Sequence, residues 1–152
     1  MKILVSACLL GEPVRYDGNH NILSLDVLKQ LKSKHQLFSF CPEIEGGLET
    51  PRIPAEILNS KVINQSGEDV TKQFEQGANK ALTLCQEENI KVALLKAKSP
   101  SCGSNKIYDG TFSKVLIDES GITAKKLLDN GIAVYNEEEL ESFLTFLNDT
   151  VE

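Results

Sequence analysis

Short apolar runs alternate along this chain with segments in which apolar residues recur every three or four positions. The run from Lys2 to Ala7 predicts a first buried strand, and the run from Lys91 to Ala97 predicts a central strand buried on both faces. Leu25, Leu28 and Leu31 predict a helix between the first two strands. An alternation of this kind is typical of a parallel sheet whose crossover helices cover its faces.

The same reasoning predicts the remaining elements. They are a strand from Leu37 to Phe40, a helix through Val70, Phe74, Ala78, Leu82 and Cys85 capped by Asp69 or Thr71, a helix from Thr123 to Asn130 closed by Gly131, a strand from Ile132 to Tyr135, and a helix from Glu137 to Leu147. The stretch from Pro42 to Pro54 is rich in turn formers and is predicted to be a loop without regular structure. We therefore predict an α/β fold in which residues 1–152 form a single domain. Its sheet is open and mostly parallel, with right-handed crossovers and helices on both faces, as in Rossmann-like or flavodoxin-like proteins.

Charge and apolar content narrow the function classes. The chain has 22 acidic and 16 basic side chains, a formal charge of −6, and no block of lysine or arginine, so we expect no nucleic-acid polymer as partner. The apolar stretch from Ile3 to Leu10 is too short to span a bilayer, and we expect neither a signal peptide nor a membrane segment. Four cysteines without a secretion signal favour a reducing compartment, and we expect a cytoplasmic protein. The oligomeric state does not follow from the sequence.

Three cysteines follow predicted strands: Cys8, Cys41 and Cys102. Because the carboxyl ends of parallel strands meet at one edge of a sheet, we expect these thiols to converge there. The chain lacks the paired C-x-x-C spacing of structural zinc sites, whereas three thiolates suit a [4Fe–4S] cluster with one open iron. Packing in the core is the other interpretation of these cysteines, and it is the one we favour for Cys85, which continues a helical apolar stripe.

Polar neighbours of these cysteines suggest chemistry. Glu43 lies two residues after Cys41, and a carboxylate beside a Lewis-acidic iron could activate water or move a proton. Serines at positions 99, 101 and 104 surround Cys102. A solvated acidic loop is the alternative interpretation of Glu43 and its acidic neighbours. Cations that could offset the charge of a thiolate-bound cluster are Arg15, Arg52, Lys96 and Lys98, and simple solvation is the alternative interpretation of the two lysines.

Taken as a set, the motifs resemble those of a small bacterial family formerly known as a domain of unknown function and now associated with 2-thiouracil desulfidase. They are Ser6-Ala7-Cys8-Leu9-Leu10-Gly11, Val14-Arg15-Tyr16-Asp17-Gly18, Cys41-Pro42-Glu43, Gly46-Gly47-Leu48, Pro51-Arg52, Asp69-Val70-Thr71, Gly77-Ala78, Lys98-Ser99-Pro100-Ser101-Cys102-Gly103 and Tyr108-Asp109-Gly110-Thr111-Phe112. The resemblance extends over nearly the whole chain, from Met1 to Leu140.

The resemblance implies an oxygen-sensitive enzyme that removes sulfur from a small thiolated compound such as 2-thiouracil, giving uracil and hydrogen sulfide without net electron transfer. It implies a [4Fe–4S] cluster bound by Cys8, Cys41 and Cys102, with the fourth iron taking the thione sulfur. It implies a catalytic glutamate at Glu43 and a catalytic serine at Ser101, with Ser99 as the second choice for that serine. Ser99 and Arg15 are the candidates for substrate binding.

Two other hypotheses remain open. The cysteines could belong to a non-catalytic module that binds zinc or carries a persulfide to a partner protein. They could also be core residues of a plain α/β scaffold whose ligand pocket lies elsewhere. A brown, iron-containing protein after anaerobic purification is expected only for the cluster-dependent enzyme.

Overall fold

The computed structural model describes residues 1–150. The elements in chain order are β1 (Lys2–Ser6), a 3-10 helix (Ala7–Leu10), α1 (Leu25–Lys34), β2 (Gln36–Phe40), α2 (Pro42–Glu45), β3 (Ala55–Leu58), β4 (Lys61–Asn64), α3 (Thr71–Glu88), β5 (Val92–Leu95), β6 (Ile107–Tyr108), β7 (Leu116–Ile117), α4 (Ile122–Asp129), β8 (Ala133–Asn136), a second 3-10 helix (Glu137–Glu139) and α5 (Leu140–Thr150).

The central sheet has four parallel strands in the order β2-β1-β5-β8. The chain moves from β1 to its neighbour β2 on one side and then crosses to β5 on the other side of β1. Strand order therefore reverses at β1 and β5, and the crevice outside their carboxyl ends is where open α/β sheets bind ligands. The predicted α/β fold with a mostly parallel sheet is confirmed.

Helices cover both faces of this sheet. Side chains alternate along β1, so Ile3 and Val5 pack with Leu28 of α1 and Phe143 of α5, whereas Leu4 points to the opposite face. The cluster on that opposite face combines Leu4, Ala81, Cys85, Ala93, Ala124 and Leu127 from β1, α3, β5 and α4. Burying each large aliphatic side chain contributes about 1.5–3 kcal/mol, which is the main force that holds the layers together.

Two helix starts differ from the prediction. Val70, and neither Asp69 nor Thr71, occupies the N-cap position of α3. The Asp69 carboxylate instead accepts the Thr71 N–H at 2.9 Å, and the Thr71 hydroxyl accepts the Val62 N–H at 2.9 Å. At the C-terminal end, the residues predicted to open the last helix form a 3-10 turn with an Asn136–Glu139 capping box. The α-helix itself begins at Leu140.

Two antiparallel strand pairs and one short helix were not predicted. The strands β3 and β4 form an antiparallel hairpin whose two-residue turn places Asn59 and Ser60 at φ values of 51° and 64°. A second antiparallel pair joins β6 to β7. Inside the predicted loop, Pro42 at the start of α2 begins a single helical turn, a position where proline's fixed φ favours helix. In the part of the chain described, no helix is long and apolar enough to cross a membrane.

Candidate active site

The three cysteines predicted to meet are placed at the same edge of the sheet. Cys8 lies in the 3-10 helix directly after β1, Cys41 directly follows β2, and Cys102 lies in the loop after β5. Cys8 and Cys102 are buried and Cys41 is partly buried, and each is a free thiol. Cys85 is also free, but it lies in α3 and packs within the hydrophobic cluster.

Strand pairing places the thiols of this edge near one another. Ser6 lies opposite Phe40 in the β1–β2 pair, Cys8 and Cys41 follow these two residues, and the Ser6 hydroxyl is 3.4 Å from Cys102 Sγ. Burial raises the pKa of Cys8, and the charge of Cys41 raises it further. Burial likewise raises the pKa of Cys102, with added contributions from Cys41 and Cys8. For Cys85, burial is the sole cause that raises the pKa, to about 11. The first three thiols therefore form one group, which we call the rim cysteines, and Cys85 lies outside it.

Two rim cysteines accept hydrogen bonds from side chains, those of Ser6 and Asn21. The Ser6 hydroxyl donates to Cys102 Sγ at 3.4 Å. The Asn21 side chain donates to Cys8 and lowers the pKa of that thiol against the larger effect of burial. The Arg15 Nη1 donates to Asn21 Oδ1 at 3.0 Å, which turns the Asn21 amide NH₂ towards other partners. These donors stabilise the thiolate form, the form that binds metal.

Cys41 accepts hydrogen bonds from backbone groups. The N–H groups of Ile44 and Glu43 donate to its sulfur and lower its pKa, although burial has the larger effect and raises it. These N–H groups belong to the first turn of α2, where amides have no partner within the helix. Every rim cysteine thus has at least one donor directed at its sulfur.

Close packing of α2 against α3 fixes the position of Cys41. A Cβ atom built on Gly77 in α3 would lie 1.9 Å from the Pro42 carbonyl oxygen, and one built on Gly46 would lie 1.9 Å from the Gln73 carbonyl oxygen. Only glycine permits these two approaches. The Gly46 and Gly77 pair explains why both residues occur in the motifs around Cys41.

A nearly buried ion pair holds Glu43. Arg52 contacts Glu43 Oε2 through Nε at 3.1 Å and through Nη2, and the side chains of Arg52 and Glu43 are 9% and 17% exposed. Arg52 also donates to the carbonyl oxygens of Val14 at 2.9 Å and Glu49 at 3.1 Å. Within residues 1–150, Glu43 Oε1 accepts no hydrogen bond. Glu43 raises the pKa of Cys41, which places its charge beside the rim cysteines.

The two predicted serines occupy different positions. The Ser99 hydroxyl accepts the N–H groups of Ser101 and Cys102, each at 3.1 Å, and so stabilises the turn that carries Cys102. The Ser101 hydroxyl is 2.8 Å from Thr123 Oγ1 of α4, and Ser101 is 1% exposed. Ser101 therefore joins the Cys102 loop to α4.

A second ion pair lies at the end of β5. Lys96 Nζ is 2.7 Å from Glu137 Oε2, and Glu137 Oε1 accepts the Ala97 N–H at 2.7 Å. After the larger effects of burial, Asn21 and Cys41, Lys96 lowers and Glu137 raises the pKa of Cys8. The predicted cation Lys96 thus lies near the rim cysteines. The predicted cation Lys98 pairs with Glu138 at 3.2 Å and is more exposed.

The donor set fits an iron–sulfur cluster. In the part of the chain that the structure covers, no three or more His, Cys, Asp and Glu side chains form a group that could hold a metal ion. A [4Fe–4S] cubane binds each cysteine at a different iron, so its ligands stand farther apart than those of a single ion. Two buried thiols and one partly buried thiol, each with a hydrogen-bond donor and without a histidine among them, match the ligand chemistry of such a cluster.

Sequence reasoning missed several residues of this site. Ser6 and Asn21 were not predicted to contact the cysteines, nor was Thr123 predicted to bind Ser101. Ser6 is 96 residues from its partner Cys102, and Thr123 is 22 residues from Ser101, so no local pattern connects them. The one available signal was the place of Ser6 at the carboxyl end of a buried strand, beside the edge where ligands bind.

A family model described as 2-thiouracil desulfurase matches residues 3–139. This chain belongs to the 2-thiouracil desulfurase family. The resemblance drawn from the motifs is thereby confirmed.

One curated protein and one solved structure are similar to this chain over nearly its whole length. The uncharacterized protein YbbK of Bacillus subtilis strain 168 is 41% identical over 152 residues, covering 93% of this chain and 99% of YbbK. The solved structure of the [4Fe-4S]-dependent thiouracil desulfidase TudS superimposes with a TM-score of 0.93 and 46% identity, covering 97% of each chain. The predicted cofactor and reaction agree with the name of this relative of the 2-thiouracil desulfurase family.

Proposed function

We propose that this protein is a [4Fe–4S]-dependent desulfidase that converts a small thiolated pyrimidine such as 2-thiouracil, with one water, into uracil and hydrogen sulfide. The carbon–sulfur bond is replaced by a carbon–oxygen bond at the same oxidation level, so no electron donor is consumed. The observation that carries this proposal is the group of three hydrogen-bonded thiols beside the held carboxylate of Glu43.

Cys8, Cys41 and Cys102 are the proposed ligands. Their thiolates are stabilised by Asn21, by the first amides of α2 and by Ser6. When bound, the cluster supplies a Lewis-acidic iron without a protein ligand, suited to take the thione sulfur.

Glu43 is the proposed general base. Arg52 holds one carboxylate oxygen, while Oε1 keeps its lone pairs for a water molecule. Because Arg52 holds Oε2, the direction of Oε1 is fixed. Orientation of a catalytic group in this way is a major source of rate enhancement. Glu43 takes the proton of the attacking water and can return it to the leaving sulfur.

Ser101 is the second proposed catalytic residue. Its hydroxyl and that of Thr123 form a buried pair directly before Cys102. We propose that Ser101 passes a proton or binds the ring after exchanging Thr123 for the substrate. Ser99 and Arg15 remain the proposed substrate-binding candidates, although both have protein partners, namely the Cys102 turn for Ser99 and Asn21 with Asp17 for Arg15.

The partner is proposed to be a small molecule and not a nucleic-acid polymer, in keeping with the formal charge of −6. A reducing cytoplasm is the proposed location, because all four cysteines are free thiols.

The test is anaerobic reconstitution with iron and sulfide, followed by incubation with 2-thiouracil. The proposal predicts a brown protein that releases uracil and sulfide in equal amounts without added reductant. A reconstituted protein that holds four irons and leaves 2-thiouracil intact contradicts the substrate. A colourless protein with stoichiometric zinc contradicts the enzyme and supports the metal-binding module.

A further inference from the structure

Ser6 links the first strand to the most buried rim cysteine. It is the last residue of β1 and is 3% exposed, and Cys102 is 6% exposed. The Ser6 hydroxyl oxygen lies 2.9 Å from the Lys96 backbone nitrogen and 3.4 Å from Cys102 Sγ. The proposed action of Glu43 as general base gives Ser6 no role, and neither does the binding of the cluster by the three cysteines.

The direction of these two hydrogen bonds is fixed. A backbone N–H can only donate, so the Ser6 oxygen accepts from Lys96. A hydroxyl has a single hydrogen, and the Ser6 hydroxyl donates it to Cys102 Sγ. Because β1 and β5 are paired, the positions of the Ser6 hydroxyl and the Lys96 N–H are set by the sheet. The hydroxyl is therefore preoriented as a donor to sulfur.

We propose that Ser6 is a positioning residue which keeps donating to the Cys102 sulfur when the cluster is bound. This inference rests on the proposed function, because it takes Cys102 as a ligand. A hydrogen bond to a ligand sulfur withdraws negative charge from it, and hydrogen bonds of this kind raise the reduction potential of iron–sulfur clusters. The same withdrawal makes the open iron a stronger Lewis acid towards the substrate sulfur.

Three variants test this inference: Ser6→Ala, Ser6→Thr and Thr123→Val. The first removes the donor and the second restores a hydroxyl. The third is the matched control, because it removes a buried hydroxyl next to the Cys102 loop that binds Ser101 and not a thiol. Each protein is reconstituted anaerobically, and its iron content, its midpoint potential and its iron–sulfur stretching frequencies in H₂O and D₂O are measured.

The expected result is a lower midpoint potential in Ser6→Ala, with loss of the D₂O-induced shift of an iron–sulfur stretch. Ser6→Thr recovers both, and Thr123→Val keeps the parent values. An unchanged potential in Ser6→Ala, or an equal decrease in Thr123→Val, overturns the inference. If Ser6→Ala retains no iron, recovery of iron in Ser6→Thr supports the inference and continued loss overturns it.

Failure of the proposed function is seen separately, in the parent protein. If the parent protein does not assemble a four-iron cluster, both the proposed enzyme and the proposed role of Ser6 are wrong. A parent that assembles the cluster and desulfurates 2-thiouracil, together with an unaltered Ser6→Ala cluster, removes the role of Ser6 alone.

Discussion

Glu43 and Glu45 both belong to the single turn of α2, and their environments differ. Glu43 is held by Arg52 near the rim cysteines, whereas Glu45 is exposed. Glu43→Gln keeps the shape of the side chain and cannot act as a base, so we expect a cluster spectrum like the parent's and loss of sulfide release by at least about 10²-fold. Glu45→Gln is the matched control and is expected to retain the parent rate. Parent turnover in Glu43→Gln would remove Glu43 from the mechanism.

Arg52 tests the orientation of that base. Its planar fork contacts one Glu43 oxygen twice and two backbone carbonyls as well, a geometry that the point charge of lysine cannot reproduce. In Arg52→Lys we therefore expect kcat to fall by about 10²-fold, because misplacing a catalytic group costs on that order. Iron content and KM should change little. A variant with the parent kcat contradicts the positioning of Glu43 by Arg52.

Cys85 gives a prediction for the dependence of stability on pH. Its pKa is raised by burial from 9.0 to about 11, so its thiol ionises in the unfolded chain before it does in the folded protein. The stability that results is fully present below pH 9 and is lost as the pH rises towards 11. In denaturant titrations of the apoprotein, the parent should lose more unfolding free energy over this range than Cys85→Ala. Parallel pH curves for the two proteins would contradict this burial effect.

At the scale of elements, the contact of α2 with α3 carries Cys41. A methyl group at position 77 would collide with the Pro42 carbonyl, so Gly77→Ala should destabilise the protein by about 3 kcal/mol and reduce iron uptake. Asn79→Ala, at an exposed position of the same helix, is the control and should preserve both properties. Unfolding curves and iron analysis of both variants check the prediction. Full iron uptake by Gly77→Ala would show that this packing does not fix Cys41.

Elements with a strong repeating pattern could be predicted from the sequence. β1 and β5 are runs of apolar residues buried on both faces, and α1 and α3 show helical spacing. The β3–β4 hairpin was missed because its strands have four residues each and include the polar, buried Glu56. Asn59 was a usable signal, since asparagine favours the left-handed conformation that a two-residue hairpin turn requires.

The site was predictable only in part for a related reason. Cysteines after strands could be placed at one edge because strand direction alone determines that edge. The donors Ser6 and Asn21 depend on which strands are adjacent and on how a loop returns to the edge, and neither is encoded by local spacing. The anchoring of Ser101 by Thr123 likewise depends on how α4 packs against the loop.

For the whole molecule, we propose that residues 1–152 unfold as one domain. The two clusters that cover the sheet share β1 and β5, so neither face can be exposed without disrupting the other. Calorimetry of the apoprotein should give a single transition whose van't Hoff and calorimetric enthalpies agree. Two separable transitions would contradict the single domain.

The central claim is that three remote cysteines at one edge of the sheet hold one cluster. Iron analysis and Mössbauer spectroscopy of anaerobically reconstituted Cys8→Ala, Cys41→Ala, Cys102→Ala and Cys85→Ala test it most directly. We expect about four irons per chain in the parent and in Cys85→Ala, and loss of the cubane signal in each of the other three. A full cubane in any of those three, or its loss in Cys85→Ala, would contradict the account.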